Sequence, residues 1–326
     1  MSTSESNLNV KRRALGLNTD WRQYIVYFAF VVVFILFSIT LHDDGFLTAG
    51  NLLNIVRQTA IIAIMAVAMT FVISAAEIDL SVGSIVALSS LTTALALQAN
   101  LGLLGAVIAG LGTGLLVGLI NGLLVTKVGI PSFLVTLAMM GLVSGVAMWI
   151  TDTEPVTILD ETYVAIFGSG NLGAIPSLLI WLLVIVTIGH ILLRKATFGR
   201  RTLATGGNQS AARFSGINVA RIKLYALMGS GLMAGLAGML YAGRMHSGRF
   251  TFGTGDELSV IAAVILGGTS LFGGVGTVIG TVVGAFLIGV INNGLIIMGL
   301  DVSQQMIIKG LIIILAVAFG KKQLSN

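Results

Sequence analysis

The chain has no cysteine and little charge. Without a thiol it can form neither a disulfide framework nor a thiolate metal site, so its stabilising framework is non-covalent. Charged residues make up only 10% of the 326 residues and apolar residues 56%, far from soluble-domain averages. With a mean hydropathy of +1.01, a water-soluble domain is excluded and lipid is the medium. Catalytic signatures are missing too. There is no G-x-x-x-x-G-K-[ST] phosphate loop and no G-x-S-x-G elbow, and Gly274-Val275-Gly276 lacks the third glycine of a dinucleotide fingerprint. The polypeptide therefore cannot hydrolyse ATP by itself and is not read as an enzyme. His42, His190 and His246 are too scattered for a metal site, so no metal and no cofactor is expected on this chain.

What remains is a succession of apolar runs. A hydrocarbon core of about 30 Å needs roughly 20 apolar residues per helix. Ten runs fit: 24–41, 59–76, 82–97, 101–125, 131–150, 176–193, 224–242, 258–271, 276–298 and 303–319. The third and eighth are short, which predicts tilted or broken helices there. The first run lacks a small-residue cleavage pattern and is read as a retained helix. The expected fold is an all-α integral membrane protein with one transmembrane domain, 24–320. Polar tails flank it at 1–23 and 321–326.

Charge of one sign is absent from two connections, and that sets orientation. Residues 194–223 hold Arg194, Lys195, Arg200, Arg201, Arg213, Arg221 and Lys223 with no acid, whereas 151–175 hold Asp152, Glu154, Asp160 and Glu161 with no base. Basic connections resist translocation, so the former is cytoplasmic and the latter external. Ten spans then put both termini in the cytoplasm, with Arg244 and Arg249 as exceptions left outside. The pI of 9.7 reflects this topology rather than a nucleic-acid surface, because no basic helix face with interleaved aromatics occurs.

Two echoes predict related halves. Asp79-Leu80-Ser81-Val82 returns as Glu257-Leu258-Ser259-Val260, and Gly118-Leu119-Ile120-Asn121-Gly122 returns as Gly289-Val290-Ile291-Asn292-Asn293-Gly294 at nearly the same offset. The helices involved run in opposite directions, so the repeat is expected to be inverted. Glycine every fourth residue, at Gly110, Gly114, Gly118 and Gly122 and again at Gly276, Gly280 and Gly284, predicts smooth stripes for close helix packing. Glu77, Asp79 and Ser81 interrupt an apolar stretch. Two acids facing lipid at mid-bilayer would cost roughly 5–7 kcal/mol, so they sit at an interface or in a protein-enclosed break. A discontinuous helix beside a transport path and a capped turn both fit. Residues 206–219 read as a short helix beginning near Asn208 and bracketed by glycines, too short to span.

EIDLSVGS (77–84), GGNQSAARFSGINV (206–219), ELSVIAAVILGGTSLFGGVGT (257–277) and IGVINNGL (288–295) resemble the ribose/allose/arabinose/xylose branch of bacterial sugar ABC permeases. The similarity runs from about 46 to 322. It implies a ten-helix permease resembling the vitamin B12 importer (type II) fold in the inner membrane, working as a pair with a second copy or paralogue. It also implies a partner ATPase subunit that binds ATP and Mg, and a periplasmic sugar-binding protein. By the same resemblance the loop helix becomes a coupling helix, with Asn208, Ala211, Ala212, Arg213 and Gly216 as its ATPase-facing positions. Glu77 departs from the small residue usual before Ile-Asp-Leu in ribose permeases.

A neutral, hydroxylated sugar needs a wet path with hydrogen-bond partners. Asn121, Asn292 and Asn293, with Asn54 and Gln58, are the candidate lining, each equally able to bond between helices. The turn holding Thr126, Pro131 and Ser132 is a candidate cytoplasmic gate by analogy to the fold. Two other readings stay open: the same class carrying a nucleoside, inositol or furanosyl autoinducer, and an ion-coupled secondary transporter or channel.

Overall fold

The computed structural model describes residues 25–321. The expected tails lie outside these residues, apart from Lys321, the last residue of the final helix. Thirteen α-helices succeed one another: α1 (Ile25–Thr40), α2 (Ala49–Ser74), α3 (Val82–Gln98), α4 (Gly102–Leu123), α5 (Ser132–Trp149), α6 (Glu161–Phe167), α7 (Ser177–Arg194), α8 (Thr197–Gly207), α9 (Gln209–Phe214), α10 (Val219–Met245), α11 (Asp256–Leu266), α12 (Val278–Ile297) and α13 (Val302–Lys321). A π turn, Leu124–Val128, extends α4 and stops at Gly129, whose φ of +84° suits only glycine. Among the described residues strand is confined to two-residue pairs. β1 (Val156–Thr157) lies antiparallel to β4 (Ser247–Gly248), and β2 (Asn171–Leu172) to β3 (Ile175–Pro176).

Each predicted run falls on a helix, and the differences have local causes. Helix α2 begins ten residues before its apolar run, because the Thr48 side chain caps Asn51 N and the polar Asn51, Asn54, Arg57 and Gln58 are absorbed into its first turns. The eighth run is cut short at Leu266, followed by Gly268, Gly273 and Gly274 at positive φ. The basic loop holds two helices instead of one, and the acidic loop holds α6, capped by Asp160 Oδ1 on Tyr163 N at 2.8 Å. Tyr163 sends its hydroxyl to the Met239 carbonyl at 2.8 Å, and burial pushes its phenol well above the ordinary value.

Among the described residues six helices are long and apolar enough to cross a membrane: α2, α4 with its π turn, α5, α7, α10 and α12. Their arrangement is that of a membrane domain. Large apolar side chains such as Phe28, Ile39, Leu104, Leu116, Leu142 and Trp149 are exposed on outer faces, which water would not tolerate in such number. The interior is built on α2 and α10. From Thr59 to Ser74, α2 is buried nearly all round, as a helix surrounded by other helices must be.

Helix α10 packs on α2, α3 and α4. The first glycine stripe lies against it: a Cβ on Gly114 would overlap the Gly231 carbonyl, and one on Gly118 would stand 2.7 Å from the Leu227 carbonyl. The second stripe does the same for α12, where Gly280 meets the Gly267 carbonyl and Gly284 that of Ala263. Without a hydrophobic force between helices in lipid, backbone-to-backbone contact of this kind supplies the association.

Candidate functional site: two helix breaks and a surface loop

Between α2 and α3 the chain is not helical. Ala76 takes a left-handed φ of +60° and residues 77–80 run on without helix into α3. Asp79 is fully buried here. One of its oxygens accepts from Ser81 N at 3.0 Å and Ser81 Oγ at 2.6 Å, while the other has no partner among the described residues. Asn121 of α4 donates through Nδ2 to Ser81 Oγ at 2.9 Å, and its own Oδ1 is also unpartnered. Ser230, halfway along α10, lies beside the same carboxylate. A buried unpaired acceptor costs free energy unless some donor reaches it, so this cluster is primed to accept hydrogen bonds. Ile78 is held from the other side: its N–H donates to Ser132 Oγ at 3.1 Å and its carbonyl accepts from Thr136 at 3.3 Å. Glu77 forms an ion pair with Lys223 near the start of α10.

The second break precedes α11. Residues 246–255 turn back along α3, with Arg249 N donating to Ser90 Oγ at 3.2 Å and Gly253 and Gly255 at positive φ. Helix α11 then starts at the half-buried Asp256 and Glu257. Its 11 residues span about 16 Å, half a hydrocarbon core. At its first residue Asp256 accepts from Tyr241 Oη at 2.8 Å. Gln58, Tyr241, Asp256, Ser259, Asn292 and Lys309 surround a cavity of about 60 Å³, enough for a few ordered waters. Asn292 Oδ1 has no protein partner among the described residues. The two breaks meet. A Cβ on Gly83, in the first turn of α3, would overlap the Gly253 carbonyl and stand 2.5 Å from Glu257 Oε2. Two helix N-termini, each partially positive, thus converge with acids beside them.

Of the echoed residues, Ser81 accepts a hydrogen bond from Asn121, and Ser259 lines the same cavity as Asn292. Of the candidate lining, Gln58 and Asn292 come together, and Asn121 joins the first break. Asn54 is exposed. Asn293 exchanges two hydrogen bonds with Asn51, at 3.0 and 2.8 Å, and serves helix contact. In the gate turn Ser132 reaches the first break, Pro131 precedes α5 with φ −53°, and Thr126 returns its hydroxyl to the Gly122 carbonyl at 2.6 Å.

The expected short helix is α9, Gln209–Phe214. Asn208 Oδ1 caps it by accepting from Ala211 N at 2.9 Å, and Gly216 ends it at φ +79°. Ala211, Arg213 and Gly216 are exposed, but Ala212 turns inward, 4% exposed. Among the described residues the most exposed large apolar side chain is Phe214, at 94%. The preceding helix is seated on the end of α2, beside the first break, and on the segment before α12: a Cβ on Gly206 would overlap the Ser74 carbonyl, which accepts from Gly274 N at 3.0 Å. Sequence reasoning missed Phe214, Lys223, Asp256 and Lys309. Lys309, a lone cation inside an apolar run, was the one legible signal among them. Among the described residues no cluster of three His, Asp or Glu could hold a metal ion.

A family model described as branched-chain amino acid transport system / permease component matches residues 51–317. The chain is 42% identical to the ribose import permease protein RbsC of Bacillus subtilis (strain 168), over 90% of this chain and 92% of that one. It is 41% identical to RbsC of Escherichia coli (strain K12), over 86% and 88%. To the L-arabinose transport system permease protein AraH of the same strain it is 36% identical, over 98% and 97%. No solved structure matches significantly.

Proposed function

The chain belongs to the family of branched-chain amino acid transport system permease components, and from that premise we propose that it is the membrane-spanning permease subunit of an ATP-binding-cassette importer for a monosaccharide of the ribose type. The observation that carries this reading is its 42% identity to a ribose import permease across nine-tenths of both chains. L-Arabinose is the second cargo, favoured by the relative that covers 98% of this chain.

In this reading the ten helices α1–α5, α7 and α10–α13 cross the inner membrane, with both termini cytoplasmic, in an inverted-repeat arrangement like that of the vitamin B12 importer. The β1–β4 pairing supports it, since it ties the α5–α7 and α10–α11 connections to one side, as ten crossings require. The sugar passes where the breaks converge. Its hydroxyls donate to the unpartnered acceptors of Asp79, Asn121 and Asn292 in place of water, which gives a path with hydrogen bonds but no deep trap. A periplasmic binding protein supplies the sugar, a second copy completes the pore, and ATP and Mg are held by a separate ATPase subunit.

That ATPase seats α9, with Phe214 and Arg213 as its contacts and Ala212 as the inward wedge that fixes the helix. Closure of the ATPase moves α8 and α9, and Gly206 passes the movement to Ser74 and Gly274, which flank the first break and α12. Transport is then a shift between outward-open and inward-open populations. The test is reconstitution of the chain with its ATPase and a ribose-loaded binding protein in proteoliposomes. ATP-dependent, vanadate-sensitive ribose accumulation is expected. Ion-driven uptake by the chain alone would overturn the proposal.

A further inference from the structure

A groove of about 460 Å³ opens sideways between α2, α7, α8 and α10, on the outer face of the helix bundle. Phe71, Ile188, Leu192, Phe198 and Met233 line it, and the only polar side chain in its wall is Tyr225. Tyr225 is half exposed, and its hydroxyl has no partner among the described residues. The groove has a direction. Helices α7 and α10 run antiparallel, so Leu192 and Tyr225 mark one end and Ile185 and Met233 the other, about 12 Å away. At the Tyr225 end stand two exposed cations on the same helix faces: Lys195, three residues beyond Leu192, and Arg221, four residues before Tyr225. The connection 194–223 holds no acid, and the one ion pair among the described residues uses Lys223.

We propose that this groove holds one acyl chain of an anionic phospholipid whose phosphate is gripped by Lys195, Arg221 and the Tyr225 hydroxyl. An apolar trough in a bilayer is filled by lipid, and charge complementarity at one end selects the headgroup. The lipid belongs to the leaflet on the side of loop 194–223. Its chain lies against α8 through Phe198, so headgroup composition acts on the element that precedes α9.

The test is native mass spectrometry of the delipidated full chain in detergent, titrated with phosphatidylglycerol or phosphatidylcholine of matched acyl chains. Each basic residue near the surface is worth about fivefold, so the wild type is expected to favour phosphatidylglycerol about thirtyfold. The double variant Lys195→Gln, Arg221→Gln should bind the two lipids equally. Gly229→Leu should lose both, because Gly229 lines the groove with nothing within 4 Å of a Cβ and its larger side chain fills the space without disturbing the fold. No preference in the wild type, or undiminished binding by a folded Gly229→Leu, would overturn the proposal. So would efficient disulfide cross-linking between copies through Ile188→Cys, introduced as the sole cysteine, since a second copy would then occupy the groove.

Discussion

Replacing Glu77 by Gln tests the link between the first helix break and the basic loop. Its carboxylate pairs with Lys223, and the two side chains are only 8% and 16% exposed. For a contact ion pair at an effective dielectric of about 20, the gross attraction is about 5 kcal/mol, most of it offset by desolvation of both ions. Removing one partner leaves the other charge uncompensated in a nearly dry position. Each single change, Glu77→Gln or Lys223→Met, should therefore cost about 3 kcal/mol of unfolding free energy. The double change removes both ions and should cost no more than about 1 kcal/mol, giving a coupling of about 5 kcal/mol in a double-mutant cycle. The assay is equilibrium unfolding in mixed micelles, followed by near-ultraviolet circular dichroism, with ATP-driven uptake measured in parallel. Uptake should fall in both single variants and recover in part in the charge-reversed pair Glu77→Lys, Lys223→Glu. Additive single effects, or singles within about 0.5 kcal/mol of wild type, would refute the reasoning.

Asp79→Asn should leave stability unchanged or slightly raised, since it removes a buried charge while keeping an acceptor for Ser81, yet slow uptake at least tenfold; normal uptake would assign Asp79 to capping alone. Phe214→Ala should leave the permease folded and weaken ATPase binding by about 2 kcal/mol, as loss of an aromatic anchor does, read by co-purification of the two subunits. Gly206→Val drives a Cβ into the Ser74 carbonyl, so uptake should be lost with the ATPase still bound, a result seen by comparing pull-down with transport. Asp301 has its carboxyl lowered from 3.8 by bonds from Ser303 and Gln304 at the start of α13. That cap is present at neutral pH and lost only as pH falls through a value below 3.8, which amide exchange at Gln304 reports.

The helices were legible because apolar run length is dictated by bilayer thickness, and the glycine stripes because a four-residue period puts small residues on one face. Polar entries into helices were not. Hydropathy discards Asn51 to Gln58, although a Thr48 cap and a buried partner surface make them helical. Asn292 and Asn293 looked equivalent in the echo, but successive helical residues differ by about 100°, so one faces the cavity and the other faces Asn51. The pairing of Glu77 with Lys223, and the convergence of Gly83 on Gly253, join segments far apart in the chain and carry no local signature. The inward turn of Ala212 beside an outward Phe214 likewise follows from how α9 sits on its neighbours, which composition does not encode.

Where α3 and α11 touch, at Gly83 and Gly253, no side chain separates the two backbones, so the joint has no slack. Any residue larger than glycine at either position would prise the two helix starts apart.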